Sequence, residues 1–324
     1  MLDLFTIGDI KLDTFIMLPE ASVMCGLKDA GCKLCLDYGA KIPVDHTSSQ
    51  IAGSAPNVAV GIARMGKKSA VVSLMGKDIT HTLAVEFLKK NNVETRYVKA
   101  AASRSSSFAA VLTFRGESTQ LAVHGNADYT LPTPPPKAAW MHIAELGKGY
   151  ERLYREIIAY AKANDVRISF NPGEVQLRER KKELLALINT SEVLFVNRKE
   201  AATLLEVAPS TAIPSLLKKL YTLGADDVVI TDGKNGAYAY DGKTMYYTPV
   251  FPGKRIEATG AGDAFASGYI GALIHERTTK EALCWGSVNA VSVIGSIGPT
   301  DGLLSHKTII DRLAKRQSYK TQIL

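Results

Sequence analysis

Short, almost wholly apolar runs recur along this chain, and segments with helical spacing separate them. Residues 4–8, 69–75, 166–170, 193–196 and 227–231 read as strands buried on both faces. Between and around them, residues 56–65, 83–90, 150–164, 181–189 and 211–223 carry apolar side chains every three or four positions. A strand that reaches its neighbour through a helix must lie parallel to it, and the helices then cover the faces of the sheet. The expected class is therefore α/β, with a mostly parallel central sheet and helices on both faces. One unit spanning residues 1–324 accommodates this pattern, and no internal repeat divides it.

Two stretches break the rhythm. Residues 11 to about 50 hold no clear long helix, and residues 96–125 alternate apolar and polar positions. Within the second, 108–114 and 119–123 read as a hairpin around Arg115-Gly116-Glu117. Such insertions, at roughly 11–50 and 96–125, are expected to form a small β lid beside the sheet. The run Leu131-Pro132-Thr133-Pro134-Pro135-Pro136 reads as a stiff turn into the next unit.

Composition narrows the function classes. With 46% hydrophobic and 22% charged residues the chain can bury a sizeable core. Its net charge of +7 is dispersed, and the densest basic run, Arg178-Glu179-Arg180-Lys181-Lys182, contains an acid and no aromatics. That is a solvated helix face, so no nucleic acid is expected as a partner, while a small anionic ligand suits the charge. No apolar stretch reaches the ~18 residues of a membrane span. Asp3 stands where a secretory leader has basic residues, and cysteines number only 4, so a cytoplasmic location without membrane attachment is expected. Cys25, Cys32 and Cys35, with Asp37 and His46 nearby, supply half of a zinc-site spacing but no second Cys pair. They read as free thiols. Exposed lid strands offer an expected surface for a homodimer.

The segment that carries chemistry is Thr259-Gly260-Ala261-Gly262-Asp263, which opens a helix running to about His275. Small residues at a helix start leave unpaired N–H groups facing outward, where the helix dipole favours an anion. Asp263 would lie beside that anion as a base. A tight turn with an N-cap Asp explains the same residues more plainly.

The surroundings of this segment decide between the two. Thr259 to Asp263 resembles the signature of the ribokinase-like sugar kinases, also called the B-type phosphofructokinase family. Further family patterns follow in order: Ala52-Gly53-Ser54-Ala55-Pro56-Asn57, Asn197-Arg198-Lys199-Glu200, and Thr231-Asp232-Gly233-Lys234-Asn235-Gly236. The resemblance covers nearly the whole chain and implies a ribokinase-like three-layer fold. It implies transfer of the γ-phosphate of ATP to a hydroxyl of a ribose- or fructose-type sugar. Asp263 is similar to the catalytic base, and Gly260, Ala261 and Gly262 to the anion hole.

Other positions follow from the same resemblance. Asp13, Gly53, Ser54, Asn57 and Glu145 resemble the acceptor-binding set. Thr231, Gly233, Gly236, Asn171 and Asn289 resemble the nucleotide side. Asn197 and Glu200 resemble the motif that organises Mg²⁺, although a helix cap with a first-turn acid satisfies their spacing equally. Ser54 stands where true ribokinases have Lys, and Lys11 where they have Asn. Glu257 replaces a common Asp near the monovalent-cation segment of some members. A nucleoside kinase, a keto-acid kinase using Arg104 or Lys148 for a carboxylate, and a non-catalytic sugar-binding protein on the same fold remain alternatives.

Overall fold

In the first strand, Leu2–Ile7, the fully buried Leu4 and Phe5 enter different cores on opposite faces of the sheet. Leu194 and Phe195 divide in the same way. Strands covered on both faces need apolar residues at every position, which is why these runs do not alternate.

The computed structural model describes residues 1–25, 32–115, 117–125 and 129–324. Gly116 of the expected hairpin turn and the side chain of Cys25 lie outside the described residues. Along the chain the strands are β1 (Leu2–Ile7), β2 (Lys11–Met17), β3 (Ser22–Cys25), β4 (Cys32–Cys35), β5 (His46–Ala52), β6 (Ser69–Gly76), β7 (Val98–Ala101) and β8 (Ser107–Phe114). They continue as β9 (Glu117–Val123), β10 (Ala138–Ile143), β11 (Arg167–Phe170), β12 (Val193–Asn197), β13 (Asp227–Thr231), β14 (Ala237–Tyr240), β15 (Met245–Thr248) and β16 (Gln322–Ile323). The first five helices are α1 (Ser54–Arg64), α2 (Ile79–Lys90), α3 (Glu151–Asn164), α4 (Glu174–Glu179) and α5 (Lys182–Ile188). They are followed by α6 (Arg198–Leu205), α7 (Ile213–Tyr221), α8 (Ala261–Ile274), α9 (Thr279–Ile294) and α10 (His306–Ala314).

The central sheet runs β16-β15-β14-β13-β12-β11-β10-β1-β6-β7. It is parallel from β13 to β7 and closes with three antiparallel strands. Helices α3 to α7 cover one face, and α1, α8, α9 and α10 pack on the other. The chain winds one way from β1 to β6 and β7, then returns to place β10 on the other side of β1. Winding therefore reverses between β1 and β10, and the crevice outside their carboxyl ends is where open α/β sheets take ligands.

The stretches expected to form a lid contain a second sheet, β5-β2-β8-β9, built around Phe15, Ala109 and Val111. Its later part begins at Ser107 rather than near residue 96. Val98–Ala101 pairs in parallel with β6 and belongs to the central sheet. Four residues are too few to show a period, so the sequence placed them wrongly. The hairpin of β3 and β4 pairs Cys25 with Cys32 across its backbone. Cys32 is disulfide-bonded, contrary to the expectation of three free thiols, whereas Cys35 is free. Among the described residues no His, Cys, Asp and Glu cluster could hold a metal ion on its own. No helix among them is long and apolar enough to cross a membrane.

Candidate active site

Gly260 caps α8 at φ 79, in the left-handed region that favours glycine, and a Cβ there would lie 2.5 Å from the Pro299 side chain. The backbone therefore turns sharply into the helix. Among the described residues, the amides of Gly262 and Asp263 have no hydrogen-bond partner, as expected in the first turn of a helix. The Ala261 amide differs, because it donates back to the Ala258 carbonyl at 3.3 Å. Of the expected anion hole, Gly260 and Gly262 keep amides without a partner among the described residues, and the Asp263 amide lies beside them. Apart from its chain neighbours and the backbone of α8, nothing lies within 4 Å of where a Gly262 Cβ would be, so that side of the turn is open.

Two donors from α1 hold the Asp263 carboxylate. Asn57 Nδ2 donates to Oδ2 at 2.7 Å, and Ser54 adds its hydroxyl. Gly53 begins α1 at φ 122, where a Cβ would meet the Asp9 carbonyl at 2.4 Å, so only glycine lets the chain approach this closely. Ser54, expected to face the acceptor, thus bonds the base. Burial raises the Asp263 pKa and the neighbouring Glu145 charge adds to this, while Asn57, Ser54 and Lys11 pull it down. The result is a base oriented by hydrogen bonds, with a pKa moved towards neutrality, which suits proton abstraction.

Beyond Asp263 lies a polar group from β2 and the end of β10. Lys11 and Asp13 are 5% and 3% exposed and, two residues apart, share one face of β2. The Lys11 ammonium bonds Glu145 Oε1. Burial opposes the ammonium charge, but Glu145, Asp13 and Asp263 together raise its pKa. Glu145 is lowered, because the Lys11 ammonium outweighs its own desolvation. Burial pushes the Asp13 carboxyl up to about 6 although the Lys11 charge pulls it down, and the charges of Glu145, Asp263 and Glu257 add to the rise. Asp13 Oδ1 and Asn57 Oδ1 are both buried and unpartnered. Two buried acceptor atoms without donors are costly unless a ligand supplies hydroxyls.

On the other side of the glycine turn is a cavity of about 330 Å³. Thr231, Gly233 and Gly236 line it, together with Ala261 and Gly262. The hairpin between β13 and β14 also exists, so the loop is both a β turn and a wall. The sequence reading missed the apolar part, Phe251, Val291 and Ile294, and the cations Lys234 and Arg255. One signal for it was present. Ser287, Ala290, Val291 and Ile294 recur at helical spacing and form the stripe of α9 that faces the cavity.

Asn289 is off that stripe, and its expected nucleotide role fails. Its amide donates to the Ala264 carbonyl at 2.8 Å and to Ser267 Oγ at 3.1 Å, and its Oδ1 accepts the Leu304 amide at 2.9 Å. Fully buried and satisfied, it fastens α9 to α8. Asn171 also lies outside the cavity lining. It ends β11 at the carboxyl edge, where its amide donates to the Phe195 carbonyl at 3.1 Å.

Asn197 and Glu200 form the reciprocal cap of α6: Asn197 Oδ1 accepts the Glu200 amide at 2.9 Å, and Glu200 Oε2 accepts the Asn197 amide at 2.8 Å. Parallel pairing of Asn197 with Thr231 brings this cap to the same edge as the cavity loop. Burial lifts the Glu200 carboxyl to about 7, and the charges of Glu145, Asp263 and Glu174 contribute. These acids repel one another, and a divalent cation would relieve them. The residues fit a hydrated Mg²⁺, which needs few direct protein ligands.

Comparison with known proteins bears on the family and the fold. A family model described as pfkB family carbohydrate kinase matches residues 21–306. The chain is 26% identical over 295 residues to a 5-dehydro-2-deoxygluconokinase of Clostridium botulinum, covering 84% of this chain and 87% of that one. It is 25% identical over 290 residues to a nucleoside kinase of Methanocaldococcus jannaschii, covering 86% and 92%. The structure of an Arabidopsis thaliana ribokinase complexed with ribose and ATP superposes with a TM-score of 0.79 at 17% identity, covering 96% of this chain and 98% of that one.

Proposed function

From the premise that the chain belongs to the pfkB family of carbohydrate kinases, and is therefore a phosphotransferase with a hydroxyl acceptor, we propose a specific reaction. The γ-phosphate of ATP is transferred to a hydroxyl of a small monosaccharide-type acceptor of ribose or fructose type. The observation that carries this reading is the position of Asp263. It follows directly on the cavity-lining Gly262, and its carboxylate bonds Asn57, whose other amide atom is buried and unpartnered.

The chain's own groups then have distinct tasks. The cavity holds the nucleotide, with Lys234 offering positive charge and Arg255, whose guanidinium also bonds Glu117 at 2.7 Å, beside it. Asp13 Oδ1 and Asn57 Oδ1 accept hydroxyls of the sugar and orient it. Asp263 takes the proton of the reacting hydroxyl as that oxygen bonds phosphorus and the bond to ADP breaks. The amides of Gly262 and Asp263 donate to charge on the transferred group. Asn197 and Glu200 would hold Mg²⁺, which when bound neutralises phosphate charge.

A nucleoside kinase is the second reading, favoured by the 25% identity to the nucleoside kinase. Turnover measured with ATP across pentoses, hexoses, keto-acids and nucleosides separates the two. We expect a free sugar or sugar derivative to give the highest kcat/KM; nucleosides outrunning all of them would reverse the assignment. For the metal, Glu200→Ala is expected to raise the Mg²⁺ concentration for half-maximal rate by about tenfold, a loss typical of groups that orient a metal site. An unchanged Mg²⁺ titration would leave Glu200 with only its capping role.

A further inference from the structure

We propose that His124 is a positioning residue of the acceptor site: as an imidazolium paired with Asp9 it pins the second sheet to the central one, and so sets Asp13 against Asn57, Glu145 and Asp263. The inference rests on the acceptor site assigned above and adds a residue that fixes its geometry. Among the described strands the chain passes between the two sheets four times: β1 to β2, β5 through α1 to β6, β7 to β8, and β9 to β10. All four passages meet at Asp9 and His124-Gly125. Asp9 lies in the first, and its carbonyl packs on Gly53 in the second. A Cβ on Gly125, in the fourth, would meet the Ser105 carbonyl, in the third, at 2.3 Å. The Gly125 amide also donates to Ser107 Oγ at 2.9 Å. His124 Nδ1 closes the set on Asp9 Oδ2 at 2.6 Å. The same carboxylate takes the Tyr129 hydroxyl at 2.9 and 3.0 Å, and that oxygen accepts the amide of Gly147, two residues beyond Glu145, at 2.8 Å.

Protonation sets the strength of this pin. A carboxylate only accepts, so Nδ1 carries a hydrogen whether the ring is charged or neutral, and the proton that leaves is the one on Nε2. Asp9 is 6% exposed, and a buried carboxylate holds a charged donor more firmly than a neutral one. The bond to Asp9 raises the His124 pKa above its ordinary 6.5 and the charges of Asp9 and Glu145 add to this, while burial and the Lys11 charge oppose it. On the other side of Asp9, burial keeps the Tyr129 hydroxyl protonated, although the Arg104 charge acts against the rise. When the ring loses its proton, Asp9 loses its cationic partner and Glu145 loses a charge that favours its ionised form.

The test uses whichever of the pentoses, hexoses, keto-acids and nucleosides gives the highest kcat/KM, at saturating ATP. A nucleoside in that place would end the sugar reading and leave this inference to be judged on its own results. Wild-type kcat/KM for the acceptor should fall by roughly tenfold as pH rises through the raised His124 pKa, the scale of an interaction between neighbouring charges. His124→Asn keeps a donor near the Nδ1 position without the charge, and should lack that basic limb. His124→Leu removes the donor as well, and should lower acceptor kcat/KM by about 10- to 100-fold at pH 7. Nucleotide affinity measured by calorimetry should stay within about twofold in both variants. Should His124→Leu fail to fold, the pH profile of His124→Asn decides alone. A wild-type profile without a basic limb, or a limb that persists in His124→Asn, overturns the inference. So does His124→Leu within about twofold of wild type for the acceptor, or an equal loss of nucleotide affinity, which marks general damage to the fold.

Discussion

Asp263→Asn is expected to lower kcat by roughly 10²- to 10⁴-fold, the usual contribution of a positioned general base. The substitution keeps the shape of the side chain, and Asn57 Nδ2 can still donate to its oxygen. The amides of Gly262 and Asp263 are unaltered, so nucleotide affinity measured by calorimetry should stay within about twofold. The pH profile supplies a second readout. Burial raises the Asp263 pKa, so wild-type turnover should fall as pH drops and the carboxylate gains a proton. The residual rate of the Asn variant should lose that acidic limb. Turnover within a few-fold of wild type would remove Asp263 from the mechanism.

Asp13→Ala should cost the acceptor about 3 kcal/mol in kcat/KM, roughly 10²-fold, the scale of a charged hydrogen bond with its unpaired partner. Binding of nucleotide should hardly change. The wild-type dependence on pH follows from the pKa of about 6: kcat/KM for the acceptor should decline as pH falls below that value, because a protonated carboxyl accepts hydroxyls poorly. Stability moves in the opposite sense. A carboxyl whose folded pKa is raised above its ordinary 3.8 binds its proton more tightly in the folded chain, so its ionisation destabilises the fold. Asp13→Asn should therefore raise the melting temperature at pH 7. That advantage should shrink as pH falls through 6 and vanish below the unfolded pKa. If Asp13→Ala leaves acceptor kinetics untouched, Asp13 is no part of the acceptor site. If Asp13→Asn gives no stabilisation at pH 7, the buried carboxylate is better compensated than its missing partners imply.

Much of this site was legible before any fold was known, for reasons that lie in the local chain. A glycine turn opening a helix has to present free amides, and residues 259–263 show one. The spacing from Asn197 to Glu200 is the spacing of a capping box, and that box is present. Other assignments needed three dimensions. Asn289 looked like a nucleotide contact, but which stripe of α9 faces the cavity depends on how α9 packs against α8 and the β14–β15 hairpin. Ser54 was placed among the acceptor contacts, and only the approach of α1 to α8 turns its hydroxyl to Asp263. Phe251 and Val291 gave no sign of sharing a wall, since 40 positions separate them.

By itself the sequence determined the class of fold, the order of the buried strands and the helix starts that carry the chemistry. Those properties come from side-chain periodicity and backbone preference, which act over a few residues. Tertiary structure alone decided that Lys11, Asp13, Asn57, Glu145 and Asp263 converge, and which of their polar atoms are left unpartnered. They arrive from β2, the start of α1, the end of β10 and the first turn of α8, and strand order brings them to one crevice. Burial and the charges gathered there then set their protonation. Such quantities belong to the environment of a group, and a linear sequence does not state what lies around it.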